Sequence, residues 1–102
     1  MTKKILQVNF TYDGTKESVM ESFMPATQPI ADQPGLDWKV WLWNDEAREC
    51  GGIYLFADQS SVGAYLEGPI VKSIKEHPAI SNLSAKVFDV IEEPTAVTRG
   101  PV

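Results

Sequence analysis

Six aromatic side chains, Trp38, Trp41, Trp43, Tyr54, Phe56 and Tyr65, are the most promising chemical equipment of the chain, because no conventional reactive motif competes with them. There is no Gly-rich phosphate loop, no GxSxG elbow, no HExxH helix and no CxxC pair. Taken singly, each ring reads as core. Taken together they suit the lining of an apolar cavity, with indole N–H and phenol O–H groups to orient a planar aromatic guest. Asn9, a polar interruption in the first apolar stretch, joins Trp38, Tyr54 and Tyr65 as the candidate substrate-binding set. Strand parity leaves open that some of the four belong to a subunit seam instead, and no residue is assigned a catalytic role.

The other reactive types are solitary. His77, the only histidine, has the chemistry of a general base or a haem ligand, but it precedes Pro78 at a predicted helix end, where a solvent-facing imidazolium suits the helix dipole. Cys50, the only cysteine, has no sequence neighbour to activate it and reads as small filler. One cysteine permits neither an internal disulfide nor a thiolate zinc cluster within one chain, so no metal is expected and the cell interior, the cytoplasm, is the natural compartment. Asp45, Glu46 and Glu49 surround a polar loop and read as a solvated turn.

The totals agree with a modest folded domain. The 102 residues suffice for one domain and one core, with about 92–102 as a C-terminal arm or tail. A net charge of −5 with nine scattered basic residues argues against nucleic acid or an anionic membrane as partner. The opening MTKKILQVNF is broken by Gln7 and Asn9, which makes it neither a signal peptide nor a membrane span.

The elements that must position the aromatics follow from periodicity. Residues 4–12 alternate as a strand, and Asp13-Gly14 turns the chain. Val19, Phe23, Ala26 and Ile30 recur at helical spacing, with Pro25 and Pro29 predicting a kink or two short pieces. A Trp-rich strand over 36–44 and a second over 50–57 form a hairpin. An antiparallel hairpin of this length places Trp43 opposite Gly51 or Gly52, a cross-strand glycine making room for a ring. Asp58 caps a second helix, Gly68-Pro69 divides it, and His77-Pro78 ends it. Residues 83–91 form the last strand.

The order β-α-β-β-α-β predicts an α+β, ferredoxin-like fold with a four-stranded antiparallel sheet. Both helices cover one face of such a sheet, and the other face should be polar. Here it is not: Trp38, Val40 and Leu42 alternate with Trp41 and Trp43. Each buried aromatic contributes about 2–3 kcal/mol, so an apolar second face calls for a cover, and a second copy in an isologous homodimer supplies one. Trp38 is expected on the pocket side, with Trp41 and Trp43 on the subunit side.

The stretches PGLDWKVW (34–41), GGIYLFAD (51–58), AYLE (64–67) and AKVFDV (85–90) resemble the YdhR-like monooxygenases of the dimeric α+β-barrel superfamily. The resemblance implies a ferredoxin-like protomer whose sheet pairs with a second copy to form a barrel. It also implies oxygenation of a small phenolic or quinol-like aromatic substrate by dioxygen, without metal, flavin or other cofactor. Two alternatives stand beside it. Some relatives in the superfamily degrade haem, and Asn9, a tryptophan and His77 superficially match the residue types needed. The other is a non-catalytic module that binds an aromatic metabolite. Gly68-Pro69 and Pro29 depart from the family's usual helices.

Overall fold

The computed structural model describes residues 2–102. Strand β1 (Lys4–Tyr12) lies inside a four-stranded antiparallel sheet ordered β2-β3-β1-β4, with β2 (Leu36–Asn44), β3 (Glu49–Phe56) and β4 (Ile80–Asp89). Its alternation separates two faces. Leu6, Val8, Phe10 and Tyr12 are buried under the helices, whereas Ile5, Gln7, Asn9 and Thr11 point to the opposite side and stay partly exposed.

The helices start and stop where their end chemistry requires. Thr15 caps α1 (Lys16–Phe23) reciprocally with Ser18, the Thr15 hydroxyl accepting from the Ser18 N–H at 3.1 Å and the Ser18 hydroxyl accepting from the Thr15 N–H at 2.9 Å. The predicted interruption is a 3₁₀ turn, Met24–Ala26, followed by α2 (Thr27–Ala31). Pro25 and Pro29 each sit in a first turn, where a missing N–H leaves no helical bond unmade. The Asp58 carboxylate accepts from the Ser61 N–H at 2.8 Å and caps α3 (Gln59–Leu66). Pro69 opens α4 (Pro69–Glu76) after Gly68.

Three expectations are corrected. The last strand begins three residues earlier than its alternation suggests, at Ile80, because Asn82 takes a positive φ of 55° beside a register irregularity and lets pairing with β1 continue through a loop-like sequence. The C-terminal arm contains a short helix, α5 (Glu92–Val97), with Pro94 in its first turn; the tail beyond it returns so that the Trp38 indole N–H donates to the Pro101 carbonyl at 2.8 Å.

The third correction concerns the tryptophans. Trp38 does point away from Trp41 and Trp43, but to the sides opposite to those expected. Pairing places Lys39, Trp41 and Trp43 opposite Tyr54, Gly52 and Cys50 on the helix-covered face, while Trp38, Val40 and Leu42 stand opposite Leu55, Ile53 and Gly51 on the free face. A bulge at Asp37 is the reason: Leu36 pairs with Phe56 under the helices, yet Trp38, two residues later, pairs with Leu55 on the other side. The tryptophan opposite a glycine is therefore Trp41, against Gly52, and Trp43 faces Cys50. The free face is apolar and only partly covered by the tail: Leu55 is fully buried there, yet Val40 is 52% and Phe88 45% exposed.

Candidate functional site

Between α1 and the Trp-bearing end of the sheet lies a cavity of about 270 Å³, walled by Val19, Met20, Phe23, Met24, Trp41 and Trp43. Its lining is almost wholly apolar, and its chemistry follows from the face assignment just described. Deeper in, Phe23, Lys39, Trp41, Tyr54 and Gly52 bound a chamber of about 20 Å³, enough for one water or one hydroxyl group. Phe23, Trp41 and Cys50 border both spaces. A third cavity of about 310 Å³ opens between α1, α2 and α4 and is lined by Ser22, Phe23, Ser73, Ile74 and His77, so Phe23 is a partition common to all three.

Lys39 is a candidate site residue that sequence reasoning missed. Its ammonium lies 3.3 Å from the centroid of the Trp41 ring and 4.4 Å from that of Tyr54. Desolvation by burial lowers its pKa from the usual 10.5 to about 7, against a smaller opposing influence of Cys50. The signal was the spacing in WKVWLW: a lysine two and four residues from two tryptophans shares their face of a strand. Burial pushes the Cys50 thiol up, although the Gly51 N–H and Lys39 counteract it, so the thiol is no ready nucleophile.

The four sequence-derived candidates do not form one site. Tyr54 and Tyr65 come together on the helix side, their hydroxyls 2.7 Å apart and both rings buried. Burial raises the pKa of each above the usual tyrosine range, so neither phenol is a base at neutral pH. Tyr54 reaches the small chamber, and Tyr65 holds its hydroxyl from behind. Asn9 and Trp38 lie on the free face, Asn9 opposite Gly51 and Ser84, Trp38 tied to the tail. His77 packs on the helix side against Tyr12 and Phe23, with ring centroids 5.8 and 6.3 Å away. The Ala79 N–H donates to its Nδ1 at 3.1 Å, which engages that nitrogen with the backbone of the helix end. Thus the asparagine, tryptophan and histidine that suggested haem chemistry do not converge. Among the described residues no three His, Cys, Asp or Glu side chains are grouped to hold a metal ion, and no helix is long and apolar enough to cross a membrane.

The buried amine has a signature in stability. Lys39 titrates near 10.5 in the unfolded chain and near 7 in the folded one, so between these values the unfolded state binds more protons and stability rises with pH. The slope is at most about 1.4 kcal/mol per pH unit for one proton. Cys50, Tyr54 and Tyr65 act in the opposite sense: they ionise more readily unfolded than folded, and they withdraw stability above the ordinary thiol pKa of 9.0. The melting temperature is expected to climb from pH 7, peak near pH 9 and then fall, and Lys39→Met should remove the climb. A wild-type profile that is flat between pH 7 and 9 would contradict the desolvated amine.

The fold has solved counterparts. A protein of unknown function from Nitrosomonas europaea, NE2512, superposes with a TM-score of 0.70 at 22% identity, over 89% of this chain and 91% of that one. SnoaB, a cofactor-independent oxygenase from Streptomyces nogalater, gives 0.71 at 18% identity over 88% and 94%. The haem degrader MhuD from Mycobacterium tuberculosis gives 0.66 at 15% identity over 85% and 95%. At these identities the likenesses establish the ferredoxin-like α+β fold. No curated protein sequence is similar enough to count as a match. The family model described as "Putative mono-oxygenase ydhR" matches residues 5–101, nearly the whole chain, and the protein belongs to that family.

Proposed function

We propose that the protein is a cofactor-independent, cytoplasmic monooxygenase that oxidises a small phenolic or quinol-like aromatic with dioxygen, the substrate lying between α1 and the sheet. The observation that carries this reading is the apolar, tryptophan-walled cavity beside the Lys39 chamber. A site that excludes water and stabilises an anion is what such chemistry asks of a protein, because the ionised substrate is itself the electron source. At an activated ring methylene the balance closes without a reductant: one oxygen atom becomes the new carbonyl, and the other leaves as water with the two displaced hydrogens. Membership of a monooxygenase family and the likeness to a cofactor-independent oxygenase support the reading. Trp43 adds a polar handle, since its buried indole N–H has no partner, a deficit of about 1–3 kcal/mol that a ligand oxygen reaching it would relieve.

The test is dioxygen consumption by purified, metal-free protein over a panel of hydroquinones, anthrones and flavonols. Uptake with at least one class is expected. If no member drives uptake but some raise the melting temperature, the cavity belongs to a binding module and the enzymatic reading fails. The reading includes a homodimer in which two free faces meet, placing Asn9 and Trp38 near the seam. Light scattering at micromolar concentration should then return twice the 11.3 kDa chain mass, and a monomeric value would refute the pairing.

A further inference from the structure

Lys39 occupies a place where its amine meets aromatic rings and no carboxylate. Among the described residues the ion pairs are Lys3–Asp37, Lys4–Asp89 and Arg48–Asp45, and Lys39 takes part in none. Its stem is nevertheless held closely. A Cβ on Gly52 would fall 2.5 Å from the Lys39 Cε, so the absent side chain is the slot in which the stem lies. The amine is thereby set over the Trp41 and Tyr54 rings at the edge of a chamber sized for a single oxygen atom. That chamber abuts the larger cavity at Phe23, Trp41 and Cys50.

The charged and titratable groups around it are few. Cys50 and Tyr54 face it from β3, with Tyr65 of α3 behind Tyr54. Asp37, on its own strand, is engaged by Lys3, and Lys16 of α1 borders the larger cavity. The chamber residues from α2 and α4, Ile30 and Ile74, are apolar.

Resting on the reading of the cavity as a phenol site, we propose that Lys39 is a catalytic proton acceptor: its Nζ takes the hydroxyl proton of a phenol whose ring lies in the larger cavity and whose oxygen enters the small chamber. In this step the O–H bond breaks, an N–H bond forms, and the oxygen keeps the electron pair. The ammonium so formed pairs with the phenolate, which is the electron-rich species that dioxygen attacks. Burial keeps the neutral amine accessible near neutral pH, while the two ring faces favour the ammonium once the proton arrives.

4-Nitrophenol tests the proposal without turnover, because its phenolate absorbs visible light and its neutral form does not. The full chain is titrated with it at pH 7, where about half of the Lys39 amines are neutral, binding being followed by equilibrium dialysis and ionisation by absorbance. An opposite charge within a few ångströms lowers a phenol pKa by a unit or more, so the phenolate-to-phenol ratio of the bound probe should be about tenfold that of the free one. Lys39→Met, which keeps the stem, should bind it as the neutral phenol. Gly52→Ala, whose Cβ displaces the Lys39 Cε, should shrink the shift severalfold with an unchanged circular dichroism spectrum. Binding without enhanced ionisation, or an equal shift in Lys39→Met, overturns the role of Lys39 and leaves the cavity reading standing. No binding to the wild-type chain overturns both.

Discussion

Gly51→Ala is expected to lower the melting temperature by up to roughly 12–24 °C, on the basis that overpacking costs up to about 3 kcal/mol and each kcal/mol moves a domain of this size by about 4–8 °C. A Cβ at this position would lie 1.8 Å from the Val8 carbonyl oxygen and 3.0 Å from the Asn9 Cα. Both obstacles are backbone, and no rotamer change relieves them. Strand β1 cannot retreat either, because it is paired to β4 on its other side through Val8↔Ala85 and Asn9↔Ser84. The neighbouring Gly52→Ala meets the flexible Lys39 stem at 2.5 Å and the Val40 carbonyl oxygen at 3.2 Å, so its effect should fall mainly on the position of the amine, with a much smaller loss of melting temperature. Thermal melts of the two variants side by side decide the matter, and a Gly51→Ala transition within about 2 °C of wild type would contradict the close approach of β1 and β3.

The second large effect is expected at Phe23. Truncating a buried Phe to Ala costs about 3–5 kcal/mol, a large part of the 5–15 kcal/mol typical of a whole domain. Phe23 is only 9% exposed and meets Phe10, Tyr12 and Trp41 with ring centroids 5.9, 6.2 and 6.4 Å away. Because it borders all three cavities, its removal also joins them, and the surviving folded protein should accept bulkier rings than wild type. Phe23→Leu should lose less stability and keep the partition. Urea denaturation measures the cost, and a loss under about 1 kcal/mol would show that the ring is no structural partition.

Much of the scaffold was legible because its signals are local. The alternation of Leu6, Val8, Phe10 and Tyr12, the cap at Asp58 and the break at Gly68-Pro69 each act within a few residues, and the structure follows them. The candidate site was only half legible. Tyr54 and Tyr65 were both candidates for the lining, but their hydroxyl contact was not foreseen. Deciding which tryptophans face the helices needed the position of a bulge, and nothing in the apolar pattern marks Asp37 as the extra residue. Lys39 escaped notice because lysine in a strand ordinarily reads as a solvated edge, and its desolvation depends on Gly52 across the hairpin and Phe23 on a distant helix. The short helix in the tail was hidden by its prolines, which signal a helix break unless they fall in a first turn.

The bulge at Asp37 also sets how this chain can change in length. Losing that one residue would remove the bulge and leave Leu36 against Phe56 and Trp38 against Leu55 as adjacent pairs, with both faces kept. Losing one residue farther along, such as Val40, would instead send Trp41 and Trp43 to the opposite side of the sheet from Lys39. Single-residue gaps beyond the bulge should therefore be selected against in descendants of the protein, whereas a gap at Asp37 itself leaves the amine beside its rings.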